Sequence, residues 1–229
     1  MKAVLVPILV AAALNLDRRA FAQSGLGRPL VTGLIIGWLL GDLRLGLTLG
    51  LWTELLWLWR LTVGGDFTPN GALALSAVLV AISLSYGYNL VKDTLPLDVL
   101  AFALIPVLAH LLIIQDKLDR GFSERLLKFI HRELEEKESP RIMTWNLLGL
   151  THTFVGGLIF LALAVPLLIL FFTLCARILP QSFWTPFINF RPLAPAMGLI
   201  SMAASFTLPA LKIYALGLIC GLALAFFLY

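Results

Sequence analysis

Long apolar runs decide the fold class of this chain. They extend over roughly fifteen to thirty residues with almost no charge, as from residue 146 to residue 176, and 60% of the sequence is hydrophobic. A soluble core does not need such runs, whereas a helix that crosses a membrane needs about 20 apolar residues. Transmembrane β-strands would instead give short alternating segments. The sequence therefore predicts an all-α, polytopic integral membrane protein.

The apolar runs divide a single membrane domain, residues 1–229, into about seven to nine helical segments. They are expected at residues 3–16, 28–41, 43–61, 72–88, 95–114, 146–176, 193–208 and 210–229. Several of these segments are shorter than a full crossing. Short or re-entrant hairpin arms are therefore part of the prediction.

The arm from residue 28 to residue 41 is the clearest short segment. As a helix it would rise only about 20 Å, against a hydrocarbon core of roughly 30 Å. Together with residues 43–61 it is predicted to form a hairpin whose first arm crosses incompletely. Glycines at intervals of four give both arms smooth faces for close backbone contact. These are Gly33, Gly37 and Gly41 on the first arm, and Gly46 and Gly50 on the second.

The first apolar run imitates a signal peptide. Lys2 precedes it, and Ala20-Phe21-Ala22 follows it with the small-residue pattern of a cleavage site. Three charged residues stand between the run and that site, where a signal peptide normally has none: Asp17, Arg18 and Arg19. Residues 3–16 are therefore interpreted as a retained first span.

One short motif occurs twice in the sequence. Arg-Pro-Leu opens the short arm at Arg28 and occurs again at Arg191, where a second helix pair is expected over residues 191–229. Short interrupted segments at corresponding places in two halves are typical of transporters built from internal repeats. A pseudo-repeat and a coincidence of three residues are both consistent with this repetition.

One stretch of the chain, residues 116–141, is strongly charged, with seven basic and seven acidic residues. Its apolar residues recur at helical spacing, which predicts an amphipathic helix lying on the membrane or against a partner. The positive-inside tendency places this loop in the cytoplasm. Because acids balance the bases here, and the other bases are scattered at span ends, no surface for nucleic acid is predicted.

Glu54 is the strongest functional signal, because it lies within an apolar run. In a helix it would be about 18 Å from Asp42, well inside the bilayer, where an ionised carboxylate is costly unless it is paired or hydrated. Glu54 is therefore a candidate substrate-binding residue. A hydrogen bond made by protonated Glu54, or a structural pair with Arg44 or Arg60, would also explain it. Asp42, at the hairpin tip, is explained as a cap on the next helix.

Other polar residues follow Glu54 closely in sequence: Thr53, Asp66, Thr68 and Asn70. Hydroxyl, carboxylate and amide groups of this kind suit sugars, because each sugar hydroxyl both donates and accepts a hydrogen bond. The tryptophans at positions 52, 57 and 59 could stack on a pyranose ring, although tryptophans near span ends more often mark an interfacial belt. The sequence thus suggests a sugar site in the hairpin and loop of residues 28–74.

No arrangement for covalent chemistry is present in the sequence. It contains no catalytic motif, no phosphate-binding loop and no cluster of metal ligands, so no catalytic residue, metal or cofactor is predicted. Asp116 and Asp119 share a helix face, as in a metal-dependent membrane transferase, but Lys117 and Arg120 favour a solvated run of charges. His152 is explained by an interhelical hydrogen bond or by a substrate contact.

The run from Arg28 to Ala74 resembles the membrane subunit IIC of the mannose, fructose and sorbose family of sugar phosphotransferase systems. In that family an Arg-Pro-Leu opens a short arm, Leu-Gly-Asp closes it, and a Gly-rich span carries Leu-Glu or Thr-Glu. A loop with Pro-Asp or Pro-Asn then precedes a small-residue helix. The corresponding residues here are Arg28-Pro29-Leu30, Leu40-Gly41-Asp42, Thr53-Glu54 and Pro69-Asn70.

The resemblance implies a permease in the bacterial inner membrane that carries a hexose-type sugar. It also implies a second membrane subunit, IID, in a trimer of IIC–IID pairs. Cytoplasmic IIA and IIB subunits would relay phosphate from phosphoenolpyruvate, and IIB would phosphorylate the sugar that IIC presents. The chain itself would then not be an enzyme.

Carried over by position, Glu54 with Thr53, and Asn70 with its loop neighbours, become the sugar contacts. The loop from Asp116 to Arg141 becomes a possible docking surface. Apart from the resemblance, Arg28 and Asp42 are expected to be structural residues. Two other functions compete with this one. They are a membrane-embedded lipid-linked transferase that uses Asp116 and Asp119, and a non-transporting assembly or regulatory subunit.

Overall fold

The computed structural model describes residues 2–18, 24–57, 69–91, 96–136, 142–190 and 196, and this part of the chain is helical, with no strand. The helices are α1 (Lys2–Asp17), α2 (Pro29–Leu40), α3 (Leu43–Trp57), α4 (Gly71–Gly87), α5 (Leu97–Glu136), α6 (Ile142–Ile178) and α7 (Gln181–Phe190). Of these, α5 and α6 are long and apolar enough to cross a membrane, while α1, α2 and α4 are shorter apolar helices. The predicted all-α class is confirmed for these residues. The helix pair expected over residues 191–229 lies outside the described part, apart from residue 196.

Helices α2 and α3 form a tight antiparallel hairpin. A Cβ on Gly33 would lie 2.9 Å from the Gly50 Cα, and one on Gly37 would lie 2.8 Å from the Gly46 Cα. The expected close contact of the two backbones is thus confirmed for these four glycines. Gly41 has a different structural role. Its φ of 81° lies in the left-handed region, and this conformation ends α2.

The turn of the hairpin is closed by a side chain. Asp42 follows Gly41, and its Oδ1 accepts a hydrogen bond of 2.9 Å from the Leu45 N–H. That N–H belongs to the first turn of α3, where backbone donors lack partners inside the helix. Asp42 therefore caps α3, and the hairpin needs no further residue for its turn.

Helix α4 is the centre of the bundle. Every residue from Gly71 to Ile82 is buried, and α4 packs against α1, α2, α3, α5 and α6. Its two interior serines, Ser76 and Ser85, each donate a hydrogen bond to the carbonyl oxygen four residues earlier. Neither buried hydroxyl is therefore left without a hydrogen-bond partner. The small and branched apolar residues of α4 thus form most of the core.

Helices α5 and α6 form a second, much longer antiparallel pair. Residues 116–136 continue α5 without a break, and their apolar side packs against the start of α6. Leu126 is buried there, the Phe122 ring stacks on His152, and the Phe129 ring stacks on Trp145. The charged stretch is therefore an extension of a membrane-length helix, and its own chain covers one of its faces.

Candidate functional site

The predicted carboxylate, Glu54, lies beside the beginning of α2. Its Oε1 is 3.1 Å from the Arg28 Nε, and its Oε2 accepts a 3.2 Å hydrogen bond from the Leu30 N–H. That N–H is one of the donors in the first helical turn, which have no partner within α2 and which attract negative charge. The Glu54 side chain is 13% exposed and the Arg28 side chain 63% exposed, so the carboxylate faces inward and the guanidinium faces outward.

The ion-pair partner of Glu54 differs from the two that the sequence suggested. Arg44 lies about 15 Å along α3 from Glu54, near the other end of the hairpin, and Arg60 lies outside the described residues. Arg28 became the partner because the antiparallel hairpin returns the end of α3 to the start of α2. Spacing along one helix does not reveal such a neighbour.

Thr53 lies against the first residue of α4. A Cβ on Gly71 would be 3.2 Å from the Thr53 Cγ2 and 2.6 Å from the Trp57 ring. Thr53 is fully buried, yet neither its Oγ1 nor the Trp57 Nε1 has a hydrogen-bond partner within the described part of the chain. Unpaired buried groups cost about 1–3 kcal/mol each. The start of α4 therefore has unused capacity for hydrogen bonding.

Asn70 is held by two hydrogen bonds of opposite kind. Its Oδ1 accepts from the Leu73 N–H at 3.2 Å, which caps α4, and its Nδ2 donates to the Asn15 Oδ1 at 2.7 Å. The cap fixes the orientation of the Asn70 amide, and this in turn fixes the Asn15 amide. The Asn15 Nδ2 is then left buried with no acceptor among the residues described, close to Gly157.

The Asn15–Asn70 pair gives a stability prediction. Replacing Asn70 with alanine removes the cap and leaves the Asn15 carbonyl unpaired, so we expect a loss of about 1–3 kcal/mol of unfolding free energy. Replacing Asn70 with serine should retain more of the stability, because the serine hydroxyl caps α4 without placing a charge in this buried site, where Asn70 is 2% exposed. Unfolding of the purified variants in detergent measures both values. Equal losses in the two variants would contradict this interpretation.

The end of α1 completes the same polar region. The Asp17 carboxylate accepts from the Ser24 N–H at 2.9 Å and from the Gly27 N–H at 3.0 Å, so it fixes the turn before α2. The Arg18 Nη2 donates to the Pro69 carbonyl at 3.4 Å, and its Nη1 is 3.9 Å from the Asp116 Oδ2. The charges that follow the first span therefore link α1 to α2, α5 and the residue before Asn70.

Asp116 and Asp119 are buried, and the expectation that they belong to a solvated run of charges is wrong. Both face the bundle, where Asp116 is near Arg18, and the Asp119 Oδ1 is 3.1 Å from the His152 Nδ1. The His152 ring also stacks on Phe122 at 4.0 Å. No group of three or more metal-ligand side chains occurs among the described residues.

These residues form one polar layer across the end of the bundle where α1 stops and α2 and α4 begin. The layer contains Asn15, Asp17, Arg18, Arg28, Thr53, Glu54, Asn70, Asp116, Asp119 and His152. Of the predicted sugar contacts, Thr53, Glu54 and Asn70 lie in this layer, while Asp66 and Thr68 lie outside the described residues. Trp52 is a core residue, packed edge-on against Phe102 at 5.4 Å.

Asn15 and Arg18 also belong to this layer, although the sequence did not predict them as site residues. Both stand at the end of the first span, where the charges were weighed only against a signal peptide. The signal available in the sequence was a cluster of polar residues at the end of an apolar helix. It does not reveal which other helix the cluster meets, since that depends on how α1 packs.

Comparison with known families agrees with the resemblance seen between Arg28 and Ala74 and extends it over nearly the whole sequence. The model of the family described as "PTS system sorbose-specific iic component" matches residues 1–226. A search of curated proteins gave no match. The chain therefore belongs to the sorbose-specific IIC component family of the phosphotransferase system, and it is a membrane subunit of a sugar transporter.

Proposed function

We propose that this chain is the permease subunit IIC that carries a hexose-type sugar across the bacterial inner membrane. A partner IIB subunit phosphorylates the sugar, and the chain itself performs no phosphoryl transfer. The observation that carries the proposal is the polar layer, which places buried polar groups with unused hydrogen-bonding capacity at one end of an apolar helix bundle of this family.

The sugar site that we propose is centred on Thr53, Glu54 and Asn70, and the loop residues Asp66 and Thr68 contribute to it. The unpaired Thr53 hydroxyl beside the start of α4 supports this placement, because a sugar hydroxyl supplies both a donor and an acceptor. We add Asn15 to the site, since its buried Nδ2 needs an acceptor and its partner is Asn70.

The pairing of Glu54 with Arg28 is compatible with a role in binding. A carboxylate offers about four lone-pair sites, and the two contacts to Arg28 and Leu30 use one at each oxygen. The remaining sites can accept from sugar hydroxyls. A charged acceptor of this kind makes stronger hydrogen bonds than a neutral one.

The subunit requires partners in this proposal. Large apolar side chains are exposed along α6, including Leu163, Leu167 and Ile178. Such a surface suits lipid or a second membrane protein. We assign it to the bilayer and to subunit IID, in an assembly of three IIC–IID pairs, with IIA and IIB acting from the cytoplasm in turn.

Reconstitution tests the proposed function. Vesicles containing the IIC–IID complex, supplied with phosphoenolpyruvate, the general phosphotransfer proteins and IIA and IIB, should convert a labelled hexose into its phosphate as it crosses. Omitting IIB should abolish phosphate formation while the complex still binds sugar. A complex that assembles but binds none of a panel of hexoses would support an assembly subunit instead. Formation of the sugar phosphate without IIB would support the alternative that the chain itself is an enzyme.

A further inference from the structure

Burial separates the charges on the extension of α5. The three acids Asp116, Asp119 and Glu133 are buried, and they contact Arg18, His152 and the Trp145 indole N–H in that order. The exposed charged residues between 116 and 135 are the bases Lys117, Arg120, Arg125, Lys128 and Arg132 and the acids Glu124 and Glu135. A stretch that is balanced in sequence therefore presents a basic surface.

The exposed bases are not spread evenly around the helix. One face, about 100° wide by helical geometry, contains Leu118, Gly121, Arg125, Lys128, Phe129 and Arg132. We call these six residues the basic stripe. None of the six is an acid, although Glu136, the last residue of α5, continues the same face beyond Arg132. The two large apolar side chains of the stripe are largely uncovered, with Leu118 66% exposed and Phe129 53% exposed.

The position of the stripe decides what kind of partner it fits. The apolar part of α5 ends near Gln115, and Gly156 of α6 faces that residue. Because α5 continues unbroken, Arg132 lies about 25 Å beyond Gln115. Charges interact over only about 8–10 Å in physiological salt, so lipid headgroups at the level of Gln115 do not reach most of the stripe.

The neighbouring surface of α6 also favours a protein partner. Phe129 stacks on Trp145 at 5.8 Å, which joins the stripe to the first turns of α6. Residues 142–150 of α6 carry no charge, and Met143 and Leu147 are largely exposed. Bases beside exposed apolar and aromatic side chains are the composition of a protein interface rather than of a solvated surface.

We propose that the basic stripe docks an acidic surface of the cytoplasmic subunit that phosphorylates the sugar. This inference rests on the proposed function, and it specifies the face of α5 and the chemistry of the partner. Carboxylates of the partner would meet Arg125 and Lys128, while apolar side chains would cover Leu118 and Phe129. The buried acids would have no part in docking, because they hold the α5–α6 pair together.

The test is a double charge reversal, Arg125→Glu with Lys128→Glu, in reconstituted IIC–IID vesicles. We expect the concentration of IIB that gives half-maximal sugar phosphorylation to rise at least about ten-fold, and the difference from the parent to shrink at high salt. The matched control reverses Arg44 and Arg177, which are exposed on α3 and at the end of α6, and it should leave the half-maximal concentration unchanged. Sugar binding should be the same in all three proteins.

Several outcomes would overturn the stripe as a docking surface. The first is an unchanged half-maximal IIB concentration in the reversed variant, and the second is an equal rise in the control. The third is an effect that follows the anionic lipid content of the vesicles, which would assign the stripe to lipid. The neutral pair Arg125→Gln with Lys128→Gln repeats the test if reversal impairs assembly.

Failure of the proposed function gives a different result. A parent complex that makes no sugar phosphate, yet retains IIB in co-sedimentation, would refute the proposed function and leave the docking surface standing.

Discussion

Replacing Glu54 with glutamine should weaken sugar binding by roughly 10- to 150-fold, which corresponds to about 1.5–3 kcal/mol. The substitution keeps the shape of the side chain and an acceptor for the Leu30 N–H. It removes the charge that strengthens a hydrogen bond to a sugar hydroxyl. Equilibrium binding of the sugar to the reconstituted complex measures the loss directly, without dependence on the phosphorylating subunits.

The partner of Glu54 supplies the control. If Glu54 served only to neutralise Arg28, Arg28→Gln would weaken binding as much as Glu54→Gln, and the double variant would be no worse than either. In our proposal Arg28→Gln has a smaller effect, because a mostly exposed arginine contributes little to an ion pair, and Glu54 keeps both its charge and its hydrogen bond from the Leu30 N–H. If the two single substitutions weaken sugar binding equally, and the double variant is no worse than either, the Arg28–Glu54 pair has a structural role.

Replacing Gly46 with alanine should prevent the subunit from folding. The added Cβ would overlap the Gly33 carbonyl oxygen and lie 2.7 Å from the Gly37 Cα. Both obstacles are backbone atoms, so no side-chain rotation can relieve them, and the two arms would have to separate. We expect little or no monodisperse protein in size-exclusion chromatography of the detergent extract, against a normal yield for the parent.

Gly87 provides the matched control for this substitution. It is the last residue of α4, and a Cβ there would meet no atom within 4 Å. Gly87→Ala makes the same chemical change without a clash, so its yield should equal that of the parent. Normal folding of Gly46→Ala would mean that the hairpin arms are not packed as closely as the structure has them.

Local features of the fold could be predicted from the sequence because their causes are local. The interval of four between glycines marks a smooth helix face, and Gly33, Gly37, Gly46 and Gly50 do meet. A glycine followed by an aspartate marks a helix end and a cap, and the structure has both at the hairpin tip. The lengths of the apolar runs similarly indicated the helices.

The composition of the polar layer could not be predicted in the same way. Glu54 and Leu30 are 24 residues apart, and Asn15 and Asn70 are 55 residues apart. Periodicity assigns a residue to a face of its own helix, but it does not specify which helix that face meets. Asp116 and Asp119 are an example. The adjacent Lys117 suggested that both carboxylates are exposed to solvent, but α1 and α6 bury them.

The complete burial of α4 from Gly71 to Ile82 affects how the protein is made in the cell. Helices α1, α2 and α3 precede α4 in synthesis and cover only part of it, so the rest of its surface must later exchange its first surroundings for contacts with protein. That exchange cannot be completed until α5 and α6, which follow it in synthesis, have been inserted. A truncated chain that ends after α4 would therefore keep a lipid-soluble but unpacked helix, which we expect the quality-control proteases of the membrane to degrade.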